Sequence, residues 1–134
     1  MSKEFSLENR VRYADTDQMN VVYYANYFVW LEVARTEFLR SLGVDYRSME
    51  KEKRLALPVV EAYCKYKAPA RYDDIVVIKV KASLVKNSTL RFDYKLFNKE
   101  NNALLAEAYT SHVFIDSERR RPVRMPDKIK SLLC

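Results

Sequence analysis

Between residues 59 and 116 apolar side chains recur at every second position almost without a break, and that alternation leaves few folds open. A period of two sends successive side chains to opposite faces of a strand, one for a core and one for water. Val60, Ala62, Cys64 and Tyr66 form the apolar face of one run, with Glu61, Lys65 and Lys67 opposite. Val76, Ile78, Val80, Ala82 and Leu84 form the next, against Lys79 and Lys81. Leu90, Phe92, Tyr94 and Leu96 follow, against Arg91, Asp93 and Lys95. Residues 103–116 are expected to make one further long strand. The links at 86–88 and 99–102 are short enough for hairpins, which makes this part antiparallel.

The first third of the chain changes period. Residues 4–13 alternate, with Phe5, Leu7, Val11 and Tyr13 on one side, and predict a first strand. Tyr27, Leu31, Ala34, Phe38 and Leu42 then recur at spacings of three and four, with Phe28 and Trp30 widening the stripe. That pattern predicts one long amphipathic helix over residues 23–42, stopped by Gly43. Residues 44–53 add a short polar helix or loop, and the tail from Pro126 a single helical turn. The sum is an α+β fold: a curved antiparallel five-stranded sheet wrapped around one long helix. At 134 residues, 49% of them hydrophobic, the chain is expected to be one domain over residues 1–134 with a real core. One helix covers only part of such a sheet, so a second copy of the chain is expected to complete an edge or face.

Composition narrows the chemistry. A net charge of +6 admits acidic partners, but the single glycine, Gly43, excludes a P-loop, a dinucleotide fingerprint and the core of an RNA-recognition strand. Nothing beyond net charge recommends a nucleic-acid partner. Any phosphate must be held by Lys and Arg side chains or a helix start. No apolar run is long enough to span a bilayer, and MSKEFSLENR lacks a secretory signal, so no membrane insertion and a cytoplasmic location are expected. Cys64 and Cys134 offer neither a disulfide framework nor metal-ligand spacing. His112, the single histidine, is expected mid-strand with a satisfied hydrogen bond, and no metal site can be assembled around it. Ser111 and His112, adjacent on a strand, face opposite ways and cannot share a triad.

The chemistry-bearing segment is Arg12 to Tyr27, RYADTDQMNVVYYANY. Asp15 and Asp17 lie in a polar turn before the helix. Aspartate there most often turns the chain or caps the helix. A helix start also directs unpaired N–H groups and partial positive charge at whatever lies in front of it. A free carboxylate beside it therefore sets a base or nucleophile next to an anion-stabilising site, the two parts that attack on a carbonyl requires.

D-T-D-Q-M-N-V-V-Y-Y-A-N-Y followed by W-L-E-V-A-R-T-E-F-L resembles the hot-dog-fold acyl-CoA thioesterases, of the 4-hydroxybenzoyl-CoA and Tol–Pal-associated kinds. P-A-R-Y-D-D and H-V-F-I-D with R-R-P-V-R-M-P extend the likeness in order over nearly the whole chain. The resemblance implies hydrolysis of a short-to-medium aliphatic or aromatic acyl-CoA to free acid and coenzyme A. It implies Asp17 as nucleophile or general base, with the Tyr24 backbone N–H polarising the thioester carbonyl, and leaves Asp15 structural. It places coenzyme A at a subunit interface, so a dimer is the minimum and a tetramer follows by likeness; Lys86, Ser88, Arg91 and Arg120 are the candidate contacts. Arg119, Arg121 and Arg124 stand beside the last of these. Coenzyme A is part of the substrate, and neither cofactor nor metal is implied. The sequence departs from relatives at Asn20, where many have Gly, at Tyr24, where some have His, and at Glu32, where hydroxybenzoyl enzymes have Asp. Asn tolerates a positive φ, so the turn at Asn20 is expected to survive. The rival reading is a non-catalytic acyl-CoA or acyl-carrier-protein binding module on the same fold, which would not need Asp17. A dehydratase would want a histidine on the helix, and there is none.

Overall fold

The computed structural model describes residues 3–134, the side chain of Glu52 excepted. Five strands form the main sheet: β1 (Glu4–Arg10), β3 (Val59–Tyr66), β4 (Ile75–Lys86), β5 (Thr89–Asn98) and β6 (Leu104–Val113). They lie antiparallel in the order β1-β4-β5-β6-β3, so β1 and β3 are its edges. A small second sheet joins β2 (Leu55–Ala56), β7 (Ile115–Asp116) and β8 (Arg121–Pro122). The long helix α1 (Asn26–Ser41) packs across the main sheet, with α2 (Tyr46–Glu52) after it and α3 (Asp127–Leu133) at the end of the chain. This is the hot-dog arrangement.

The core lies between α1 and one face of the sheet. Tyr27, Trp30, Leu31, Ala34 and Phe38 of α1 are buried against Ile78, Val80, Phe92, Tyr94 and Leu96. Phe38 stacks on Phe5 at 6.1 Å and meets Phe92 edge-on at the same separation. The helix ends as a Schellman motif. The Val44 N–H reaches back to the Leu39 carbonyl (2.9 Å), the Gly43 N–H bonds the Arg40 carbonyl (3.0 Å), and Gly43 adopts φ +86°. Both hairpin links form as expected, with Asn87 and Asn102 in the left-handed region.

The structure corrects the sequence reading at six points. The first strand stops at Arg10, and Tyr13, expected inward, lies in a 3₁₀ turn with 77% of its surface exposed. The regular helix begins at Asn26 rather than 23, because the preceding turn is wound by tighter bonds from Asn26 to Tyr23, Tyr27 to Tyr24 and Phe28 to Ala25. A bulge between Val59 and Glu61 makes Val59, not Val60, the neighbour of Ala62 on the inner face. A second bulge between Ala82 and Leu84 turns Leu84 outward and Val85 toward the core. The expected strand over 103–116 breaks at Phe114 into β6 and β7, and the expected single turn after Pro126 is the seven-residue helix α3.

Candidate active site

The loop between β1 and α1 is built around Asp15. The residue is 4% exposed. It accepts from the Arg12 N–H (2.8 Å) and the Arg12 guanidinium (3.2 Å). Its carbonyl accepts from the Tyr23 N–H (2.9 Å) and the Asn26 side chain (2.8 Å). Asp15 thus ties the start of the loop to the start of the helix, a structural role.

Asp17 sits in the small hairpin that Asp15 supports. Thr16 and Val22 bridge, the Asp17 N–H bonds the Val21 carbonyl (2.9 Å), and Asn20 turns the chain at φ 64°. Asparagine here does what a glycine would. The Met19 N–H donates to Asp17 Oδ1 at 2.8 Å, which fixes one carboxylate oxygen. Among the described residues no donor bonds Oδ2. The carboxylate is half-buried and lines a cleft of about 350 Å³ with Val21, Val22, Tyr24, Tyr27, Tyr66 and Pro69.

Tyr24 lines the same cleft. Because the first helical turn uses the carbonyls of Tyr23, Tyr24 and Ala25, the next N–H groups back are left over. Among the described residues, the N–H groups of Tyr24 and Ala25 meet no acceptor. The Tyr66 hydroxyl donates to the Tyr24 carbonyl (2.9 Å), and the Tyr66 ring stands edge-on to Tyr27 at 4.9 Å, so β3 props the helix start. Burial, then Cys64 and the neighbouring phenols, push the Tyr66 hydroxyl well above the usual tyrosine range, and it stays a neutral donor. The Tyr23 phenol is also pushed up, chiefly by the neighbouring Tyr24 phenol and least by the Asp17 carboxylate. Asp17 and the helix start therefore share one electrostatic neighbourhood.

The other candidates lie elsewhere in the chain. Lys86 and Ser88 stand at the β4–β5 hairpin, whereas the cleft opens beside the loop that precedes β4. The 12 residues of β4 separate the two by roughly 35 Å of extended chain. Arg91 projects from the outer face of the sheet, bonded to Asp93 (3.0 Å) and lying 3.9 Å from the centre of the Tyr109 ring. It lines a separate cavity of about 620 Å³ with Lys79, Lys81 and Lys95. Arg120 occupies the exposed turn between β7 and β8 at φ 56°. His112 is buried, between the Leu57 carbonyl (3.2 Å) and Thr110 Oγ1 (2.8 Å), as expected of a core histidine. Sequence reasoning missed Lys67, which also lines the cleft. It reads as one more outward residue, but the strand ends at Tyr66 and the Lys67 and Ala68 N–H groups both turn to the Leu105 carbonyl.

No helix among the described residues is long and apolar enough to cross a membrane. The two cysteines are free.

Comparison with known proteins agrees with this fold. A family model described as "Thioesterase-like superfamily" matches residues 11–133. A putative acyl-CoA thioesterase, YneP of Bacillus subtilis, is 38% identical over 87% of this chain and 83% of its own. The acyl-CoA thioesterase YbgC of Haemophilus influenzae is 34% identical over 95% of this chain and 92% of its own. Among solved structures, a 1,4-dihydroxy-2-naphthoyl-CoA thioesterase from Synechocystis superposes with a TM-score of 0.93 at 27% identity, covering 98% of this chain and 96% of that one. With the match running through the Asp17 loop, α1 and the strands from β3 to β6, the chain belongs to the thioesterase-like superfamily.

Proposed function

We propose that this chain is an acyl-CoA thioester hydrolase with Asp17 as its catalytic carboxylate and the Tyr24 N–H as its oxyanion donor. It converts acyl-CoA and water to free acid and coenzyme A. The observation that carries the assignment of roles is one cleft lined by both Asp17 and Tyr24, whose N–H meets no acceptor among the described residues. A thioester carbonyl has little resonance stabilisation and a thiolate leaves readily, so this sparse machinery suffices.

The substrate carbonyl oxygen takes the Tyr24 N–H and the positive end of α1, which strengthen as negative charge gathers there. Asp17 acts in one of two ways. As nucleophile its oxygen adds to the carbonyl carbon, the C–S bond breaks, and the mixed anhydride is hydrolysed by water. As general base it takes a proton from water, whose oxygen adds to the carbonyl carbon; the C–S bond then breaks and the departing thiolate takes up the proton. A single turnover in ¹⁸O water tests the nucleophilic route: water that opens the anhydride at the Asp17 carboxyl carbon leaves the first product acid unlabelled and Asp17 labelled, which the general-base route cannot give. Neither route needs a metal or cofactor.

The active form is a homo-oligomer, at least a dimer. β3 is an open edge carrying the exposed Val60 (62%) and Tyr63, and α1 leaves Val29 and Val33, also apolar, exposed. Two copies joined antiparallel along β3 would set the Val59 end of one strand beside the Tyr66 end of the other. That pairing carries the Lys86–Ser88 hairpin of one copy toward the cleft of the next, where those groups and Arg120 can meet coenzyme A phosphates. We place this activity in the cytoplasm, where two free cysteines persist.

The test is thiol release from a panel of acyl-CoAs, short to long and including a benzoyl ester. Thiol release is expected, with the best substrate defining the acyl preference. Saturable binding of acyl-CoA without thiol release would instead establish the binding-module reading.

A further inference from the structure

The cavity of about 620 Å³ on the outer face of the main sheet takes no part in the chemistry above. Tyr63 lines it, whereas Tyr66 lines the cleft. Three residues apart on β3, the two point to opposite faces, so the sheet stands between cavity and cleft. Pairing of two copies along β3 would extend the sheet edge to edge and leave this face open.

Cross-strand register sorts the lining into two halves. On one side Lys79 of β4 lies directly opposite Lys95 of β5, and Lys81 follows Lys79 on the same face. Like charges directly opposed destabilise a sheet. Among the described residues none of these three lysines makes an ion pair, and Lys79 Nζ rests 5.3 Å from the centre of the Phe97 ring. Carboxylates border the group: Glu107 is a cross-strand neighbour of Lys95, and Glu4 is one of Lys81. Asp93, the other neighbour of Lys81, is taken by Arg91 at 3.0 Å. The second half is aromatic. Tyr63 and Tyr109 face each other across β3 and β6 and stack at 5.2 Å, 18° from parallel. From β5, on the far side of β6, the Arg91 guanidinium comes within 3.9 Å of the centre of the Tyr109 ring. Tyr63 is 46% exposed, so the stack is open to solvent. Two strand spacings, about 10 Å, separate β6 from β4.

We infer that this cavity binds a free nucleoside diphosphate, its base on the Tyr63–Tyr109–Arg91 stack and its phosphates among Lys79, Lys81 and Lys95. Bases stack on aromatic and guanidinium planes, and phosphate oxygens relieve the repulsion between opposed lysines. The sugar lies between, over Asp93, to which its hydroxyls can donate. Glu4 and Glu107 confine the positive charge to one small group, which favours a compact anion over an extended nucleic acid or a lipid surface. No step of the thioester reaction uses this face, so the nucleotide site stands apart from that reading.

Calorimetric titration of the full chain with ADP, adenosine and pyrophosphate tests this. Wild type should take up one ADP per chain, with adenosine and pyrophosphate each bound at least about tenfold more weakly, since each offers half of the contacts. Affinity for ADP should fall as salt is raised. Lys79→Gln combined with Lys95→Gln should weaken ADP binding by at least about tenfold and leave thiol release unchanged. By removing the opposed charges it should not lower the unfolding temperature. Tyr109→Leu should weaken ADP but not pyrophosphate; should it not fold, Tyr63→Leu on the exposed edge reads the same split. Absence of saturable ADP binding overturns the inference, as does pyrophosphate bound as tightly as ADP, or an ADP affinity that the lysine variant leaves unchanged. Acyl-CoA that displaces ADP, with a raised KM in the lysine variant, would make the cavity part of the substrate site. Loss of the oligomer in that variant would make this face a contact between copies. An oligonucleotide bound more tightly than ADP would make it a nucleic-acid surface. Each of these three results contradicts a site for the free nucleotide.

Discussion

At the scale of single residues, neighbours decide which of two similar groups does chemistry. Asp15 and Asp17 are two residues apart, yet Asp15 is consumed by Arg12 and the loop, whereas Asp17 keeps one oxygen in the cleft. Spacing alone favours capping for both, and the resemblance, not the local pattern, separated them. His112 shows the opposite case, a chemically able group held inert by burial. Its pKa is lowered from 6.5 to about 4, foremost by desolvation and partly by Arg35, with the Leu57 carbonyl opposing. The unfolded chain therefore binds a proton between those two values that the native protein refuses. Stability from this group is full above pH 6.5 and is lost as pH falls toward 4, by about 3 kcal/mol in all. Chemical denaturation of wild type and His112→Gln across that range should show the slope in wild type and its absence in the variant. Parallel curves would place the acid sensitivity elsewhere.

At the scale of elements, the alternation and the helical stripe located every main-sheet strand and α1, because both periods were long and uninterrupted. The errors fall where two apolar residues adjoin. Val59 and Val60, or Leu84 and Val85, let the strand slip by one residue at no loss of buried surface, so the sequence does not mark either bulge. Tyr13 misled for a related reason, since an aromatic at the right parity reads as core whether or not the strand continues. The end of α1 was legible because one glycine in 134 residues sits where only a left-handed residue fits. A Cβ at Gly43 meets nothing within 4 Å, so Gly43→Ala carries backbone strain alone. It should cost about 1 kcal/mol of stability by thermal or denaturant unfolding and leave thiol release unchanged. A cost of several kcal/mol would mean that this turn packs against something more than solvent.

At the scale of the whole molecule, the open β3 edge and the scattered positions of the coenzyme A candidates point the same way. Lys86 and Ser88 cannot reach the cleft of their own chain, which is why a single-chain reading of the sequence could list them but not assemble them. Val60→Glu places a charge on that edge without touching the inner face. Sedimentation should show wild type as a dimer or larger and the variant shifted toward monomer, with thiol release falling in step. A monomer that retains full activity would show that one chain holds the complete site. The most direct test of the central claim remains Asp17→Asn, assayed for thiol release on the best acyl-CoA after confirming an unchanged fold. The substitution keeps the shape and removes the charge, so a loss of at least about 10²-fold in kcat is expected. Equal rates in variant and wild type would contradict the assignment and move the catalytic group out of this cleft.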